Sequence, residues 1–261
     1  MSLLDLHRTY GAVHPDLGPV AHLALTVCGV ARYAGYWVGL ALLPLRRPAS
    51  LDRLVEGVGA EAVLEGMQQG RGQVLVLLHQ GHWEVAGAWA GRRLGGLTTV
   101  AEVLRSRPLM AALTRRARAA AGLEVVPVDA GAAGARRLVE VLRGGGAVAL
   151  LADRDLADRG VRSRRVPVHL AGLPTTLAAG PAELALATGA DLRPVTVETL
   201  GWGAPRHRVT FGADVPVGPG SRAERVASMT RACADVLGES VRRSTADWHL
   251  TAPLVPAGRA S

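Results

Sequence analysis

Short unbroken apolar runs, separated by stretches of helical spacing, set the pattern of this chain. The clearest run is Val74-Leu75-Val76-Leu77-Leu78, which stops at His79-Gln80-Gly81-His82 before a helix that starts at Trp83. An unbroken run of that length suits a strand covered on both faces. Thr98 to Ala101, Leu123 to Val128 and Ala147 to Ala152 repeat the theme, and the last ends at Asp153-Arg154-Asp155. Between them the spacing predicts a helix closing at Gly95-Gly96, one from Pro108 to Ala121 stopped by Gly122, and one over Arg136 to Arg143. A capped helix is expected to begin at Ala49, with a turn over Gln68 to Gly72. Residues 157–172 read as a basic loop, Pro174 to Thr188 as a helix interrupted near Gly180-Pro181, and Leu192 to Leu200 with His207 to Phe211 as late strands. Arg222 to Arg243 is an amphipathic closing helix. Strands alternating with helices at this spacing predict an α/β fold: a single domain whose central, mostly parallel sheet is flanked by helices.

The amino-terminal part departs from that rhythm. Residues 1–19 are polar, punctuated by Gly and Pro, and carry no clear element. Val20 to Leu45 is strongly apolar and long enough to cross a bilayer. Arg32 near its middle would cost roughly 2.5–3.5 kcal/mol there. Tyr33, Tyr36 and Trp37 cluster at the centre rather than at both ends. The composition favours a helix in the core or lying on a membrane surface over one passing through it.

Charge changes the choice of partner more than the choice of fold. The sequence has 30 Lys+Arg against 22 Asp+Glu, a net +8, which points to an anionic partner such as a membrane surface, a phosphorylated ligand or nucleic acid. Aromatic residues make up 3%, with Phe211 the single phenylalanine, so stacking platforms for bases are scarce and no nucleic-acid motif is present. A nucleic-acid partner is not expected. Cys28 and Cys233 stand in apolar or helical contexts and read as free thiols in a reducing compartment. The first residues lack the basic and apolar regions of a cleavable signal peptide.

In an open α/β sheet ligands bind at the carboxyl ends of the strands, where His79 and Asp153 both fall. His79 suits a general base near neutral pH, and Glu84 or Asp153 can orient its imidazole. A metal site is a weaker reading of His79, His82 and Glu84: no second ligand cluster follows, and the helical His-Glu-x-x-His order is absent. Ser244 and Thr245 sit in no nucleophile-elbow context, so direct transfer to an acceptor is expected rather than a covalent intermediate. Arg162, Arg164 and Arg165 read equally as an anion grip or as a solvated loop.

The ordered set of His79-x4-Glu84 within HQGHWE, TTVAE, Arg118-x3-Gly122, LLADRDL, Gly180-Pro181-Ala182 and the late DWHL resembles the lysophospholipid/lipid A acyltransferase superfamily. It is most similar to the actinobacterial phosphatidylinositol mannoside acyltransferases, from about Tyr33 to Leu250. The resemblance implies a membrane-associated O-acyltransferase with no metal or cofactor, acyl-CoA as co-substrate and a glycolipid acceptor, on the cytoplasmic side of the cell membrane. It implies that His79 takes the proton from a sugar hydroxyl that attacks the thioester. Glu84 would be the acid of the motif, and Asp153 would stand where the family carries glutamate. Arg118 would line the groove, with His82, Arg154, Arg105 and Gly180 as further substrate-binding residues. His82 replaces a common asparagine, and Ala187 replaces an acidic residue. On this reading residues 1–48 form a membrane-associating helical region and 49–261 the acyltransferase domain. Two rivals follow: action on a different glycolipid or metabolite acceptor, and a catalytically silent membrane-binding homologue.

Overall fold

A computed structural model describes residues 3–102, 108–154, 164–201, 207–249 and 254. In chain order the helices are α1 (Leu3–Val13), α2 (Pro19–Leu42), α3 (Pro48–Leu54), α4 (Ala60–Gln68), α5 (Trp83–Arg93), α6 (Pro108–Ala120), α7 (Gly131–Arg143), α8 (Gly180–Thr188) and α9 (Arg222–Arg243). The strands are β1 (Val55–Val58), β2 (Gln73–Leu77), β3 (Leu97–Ala101), β4 (Leu123–Pro127), β5 (Ala147–Leu151), β6 (Arg165–Leu170), β7 (Leu173–Ala178), β8 (Asp191–Thr199) and β9 (His207–Phe211).

Seven strands form one sheet in the order β1-β9-β8-β2-β5-β3-β4, with β8 and β9 antiparallel and the remaining pairs parallel. All five residues of β2 are buried. Its alternate side chains serve two cores. Val74 and Val76 join α7, α8 and α9 on one face, while Leu75 and Leu77 join α5 and the Tyr36–Leu40 stretch of α2 on the other. Leaving β2, the chain passes through α5 to β3 on one side. Leaving β5, it reaches β8 on the other side. The crevice between β2 and β5 is therefore the switch point at which such sheets place their ligands.

Three regions differ from what the sequence pattern predicts. Residues 1–19, expected to carry no element, contain α1, whose Leu6, Tyr10 and Val13 face the core at helical spacing. The region expected as a loop and then a helix from Pro174 holds an antiparallel hairpin, β6–β7, and the helix begins only at Gly180. Its two-residue turn, Ala171-Gly172, has positive φ at both positions (53° and 86°), a hairpin turn that the right-handed strand twist favours. Arg165, one of the candidate anion-gripping arginines, is spent on that hairpin. It donates to the Thr176 hydroxyl and carbonyl and to the Arg154 carbonyl, at 2.6–2.7 Å. The third difference is β1, a strand after α3 that the apolar pattern did not mark.

Helix α2 lies along the molecule. Thr26, Gly29, Tyr36 and Leu40 are buried, and Arg32 pairs with the fully buried Asp247 at 2.7 Å. Its other side is apolar and open: Val20, Leu23, Val27, Val30, Val38 and Leu42 follow one another at helical spacing and are exposed.

Candidate active site

The sheet register itself brings the two sequence-predicted groups together. Leu77 of β2 stands opposite Leu151 of β5, and two residues beyond each lie His79 and Asp153. The His79 ring places Nδ1 2.7 Å from Asp153 Oδ1, and the His79 backbone N–H donates to Oδ2 at 3.0 Å. A carboxylate on Nδ1 fixes the proton there and leaves Nε2 as the basic nitrogen. The third partner was not foreseen. Trp248, fully buried, donates its indole N–H to Asp153 Oδ2 at 3.2 Å. Burial opposes the charge on Asp153, but the His79 ring and the hydrogen bonds from His79 and Trp248 hold its carboxyl below the usual range.

The carboxyl-terminal turn lies against the loop after β2. His249 N–H donates to the His79 carbonyl at 2.7 Å, Gly81 N–H donates to the Asp247 carbonyl at 2.8 Å, and Gln80 bridges to Trp248. Gly81 has φ +61°, and a Cβ there would meet the Val197 carbonyl oxygen at 2.4 Å, so the turn requires glycine.

Glu84 does not orient His79. It is buried in the first turn of α5 and accepts from Arg118 of α6, at 2.6 Å from Nη2 and 3.0 Å from Nε. Both side chains line an apolar cavity of about 60 Å³ that opens to solvent, between α5 and the sheet. Leu77, Leu151 and Trp83 also line it, so it begins below the ends of β2 and β5. The Trp83 ring meets His79 edge-on, with centroids 5.1 Å apart.

Of the other candidates, Arg154 pairs with Glu102 at 3.2 Å, beside the dyad. His82 turns inward. Its Nδ1 accepts the Val85 N–H that caps α5, and its ring packs on Gly39 of α2. Gly180 opens α8, whose buried residues join the core on the sheet face opposite the cavity. Arg105, Asp155 and Arg162 lie outside the described residues. Among the described residues no three His, Cys, Asp or Glu side chains stand close enough to hold a metal ion. Three buried imidazoles are held neutral. Burial, with His79 nearby, lowers His249 to about 3; burial, with His207 nearby, lowers His82 to about 3; burial, with Arg46 nearby, lowers His207 to about 4.

An α/β sheet with a histidine–carboxylate pair at its switch point and an apolar cavity beside it fits the bacterial lipid A biosynthesis acyltransferase family, whose profile matches residues 22–254; this chain belongs to that family and is an acyltransferase. Its relatives include the phosphatidylinositol mannoside acyltransferases of Mycobacterium tuberculosis (strain CDC 1551 / Oshkosh) and Mycolicibacterium smegmatis. Each is 34% identical; the first alignment covers 88% of this chain and 69% of the relative, the second 86% and 70%.

Proposed function

We propose that this enzyme transfers a fatty acyl chain from acyl-CoA to a sugar hydroxyl of a phosphatidylinositol mannoside or a closely related glycolipid, at the cytoplasmic face of the cell membrane, without metal or cofactor. The observation that carries the chemistry is the His79 Nδ1–Asp153 Oδ1 contact of 2.7 Å beside an apolar cavity. His79 Nε2 takes the proton from the acceptor hydroxyl as its oxygen attacks the thioester carbonyl. The tetrahedral centre collapses, the carbon–sulfur bond breaks, and the imidazolium returns the proton to the departing thiolate, which leaves as the free thiol of CoA. Asp153 holds the tautomer and offsets the imidazolium charge. The cavity takes the acyl chain. To Arg118, held by Glu84, this reading gives the role of meeting negative charge from the thioester carbonyl or the phosphates of CoA.

Membrane attachment draws support from α2. It is the one described helix long and apolar enough to cross a bilayer. Its buried face nevertheless runs from Thr26 to Leu40 along the protein, and Arg32 is committed to Asp247. A helix bound along its length and apolar on its outer side lies in the membrane interface.

The deciding experiment follows free thiol released from palmitoyl-CoA, with and without phosphatidylinositol mannoside, for the wild type and His79→Ala. Acceptor-dependent release that the variant loses supports the reading. Release only with the same chain carried on an acyl carrier protein would replace the donor. Transfer only to a different lipid of an acceptor panel would replace the acceptor, and full turnover in His79→Ala would overturn the mechanism.

A further inference from the structure

The last described turn of the chain packs against the dyad and touches both Asp153 and the loop that carries His79. Asp153 Oδ1 faces the His79 ring; Oδ2 receives two donors, the His79 backbone N–H at 3.0 Å and the Trp248 indole N–H at 3.2 Å. The Trp248 side chain has no solvent exposure, and its indole hydrogen goes to this carboxylate. Trp248 is itself held from three directions. Its carbonyl accepts the Tyr10 hydroxyl of α1 at 3.0 Å. Its neighbour Asp247 is fully buried, paired with Arg32 of α2 at 2.7 Å and bonded to the Thr199 backbone N–H at 2.7 Å. On its other side, His249 N–H bonds the His79 carbonyl.

We propose that Trp248 is a positioning residue of the reaction: its indole N–H fixes the rotation of the Asp153 carboxylate so that Oδ1 meets His79 Nδ1, and the contacts through Tyr10 and through Asp247–Arg32 tie that hold to α1 and α2. A carboxylate is free to turn about its last bond unless both oxygens are engaged. Two donors on Oδ2 leave Oδ1 aimed at the imidazole. A hydrogen bond to the charged carboxylate also keeps it ionised as pH falls. This inference rests on the reading of His79 as the base.

The test pairs kinetics with a readout independent of turnover. Trp248→Phe keeps most of the buried ring and removes the donor. In the acyl transfer assay its kcat should fall about tenfold or more, the scale of a charge-assisted hydrogen bond, with KM for the donor little changed. The acid limb of its pH–rate profile should move to higher pH, because a carboxylate that has lost a donor accepts a proton more readily. A loss that was merely structural would lower the active fraction and leave the limb in place. Wild-type kcat together with a wild-type acid limb, or a lowered amplitude with the limb unmoved, would overturn the proposal.

The second arm is the indole N–H resonance of Trp248, assigned by its disappearance in Trp248→Phe. In Asp153→Ala it should move upfield, and its hydrogen exchange should speed about tenfold or more; an unchanged resonance would overturn the proposal. If His79→Ala retains full turnover, the reading of His79 as the base fails and Trp248 has no dyad to position. The indole resonance then still reports whether the contact exists. If the wild type turns over neither donor, the indole arm alone decides.

Discussion

Glu84 Oε1 lies 2.6 Å from Arg118 Nη2, and the same carboxylate receives Arg118 Nε at 3.0 Å. The acid of the His-x4-Glu motif therefore serves the arginine, and the carboxylate of the histidine comes from a residue 74 positions later, just past the end of β5. Burial works against the Arg118 charge, but Glu84 overcomes it and raises the guanidinium further above its ordinary value. Removing one partner of a buried pair strands the other. Glu84→Ala is expected to cost about 3–5 kcal/mol, whereas Glu84→Ala with Arg118→Met should recover much of that stability and none of the activity. Urea unfolding and turnover measured on the same preparations separate the two effects. Equal stability in the single and double variants would show that the pair carries no such penalty.

Asp153 tests the dyad. Asp153→Asn can still accept at its oxygen, but its amide cannot neutralise an imidazolium, and its N–H₂ would meet Nδ1 and favour the wrong tautomer. Activity is expected to fall by roughly 10³–10⁴, by analogy with the same change in a serine-protease triad, with the fold kept. Asp153→Glu restores the residue that the resemblance leads one to expect. Its extra methylene cannot satisfy the 2.7 Å contact to His79 and the 3.2 Å contact to Trp248 without a shift, so partial activity is expected. Full activity in Asp153→Asn would remove Asp153 from the mechanism.

Much of this fold was readable from the chain, and the failures have physical causes. The apolar runs at β2 and β5 are strong because both faces of those strands are covered, so nearly every side chain is apolar. His79 and Asp153 stand out because polar residues end those runs. That the two strands are neighbours in register is set by the long-range order of the sheet, which no local pattern carries. The β6–β7 hairpin was missed because Ala171 takes a positive φ, which alanine does not advertise, and because the Ala- and Leu-rich stretch after it reads as helical. Helix α1 was legible in the spacing of Leu6, Tyr10 and Val13 but is interrupted by polar residues and Gly11. Trp248 is marked only as part of the late DWHL motif, and no local pattern shows that it meets Asp153, 95 residues away.

Acid should destabilise this protein before it protonates most carboxylates. His82 and His249 are lowered to about 3 and His207 to about 4, in each case chiefly by burial. Once unfolded they regain a value near 6.5, so between that value and their folded ones the unfolded state binds more protons. Stability is therefore complete above about pH 6.5 and falls as pH drops below it, by up to about 1.4 kcal/mol per pH unit for each histidine. Urea midpoints at pH 7.5, 6.0 and 5.0 should decline progressively. His82→Asn, which removes one of these groups, should flatten the slope even if it lowers the midpoint at pH 7.5. A midpoint independent of pH across that range would contradict the burial of these rings.

The open side of α2 makes a membrane prediction. Val27 and Val38 are each 60% exposed on the apolar stripe and away from the dyad. Val27→Glu with Val38→Glu adds two charges to a surface that would otherwise sit among acyl chains. Sedimentation with vesicles of phosphatidylcholine and an anionic phospholipid should show binding weakened about tenfold or more, with an unchanged thermal midpoint. Equal binding by the double variant would move the membrane face elsewhere.

Gly87 is where the donor's chain length can be read. It lies on α5 facing the cavity, and a Cβ at this position would come 3.4 Å from Leu123 Cδ1, an ordinary contact. Alanine therefore fits. A leucine must place its remaining carbons in the space that the acyl chain is proposed to fill, where overpacking typically costs about 1–3 kcal/mol. Gly87→Leu is expected to lower kcat/KM for a 16-carbon donor by roughly 10–100-fold and to spare donors several carbons shorter, while Gly87→Ala stays near wild type. A donor series of about 8 to 18 carbons, fine enough to resolve single methylenes, shows which group has yielded. If the loss is the same at every length, the leucine has displaced α5 and the Glu84–Arg118 pair with it. If it grows with length, the cavity between α5 and the sheet holds the acyl chain and Gly87 sets its depth.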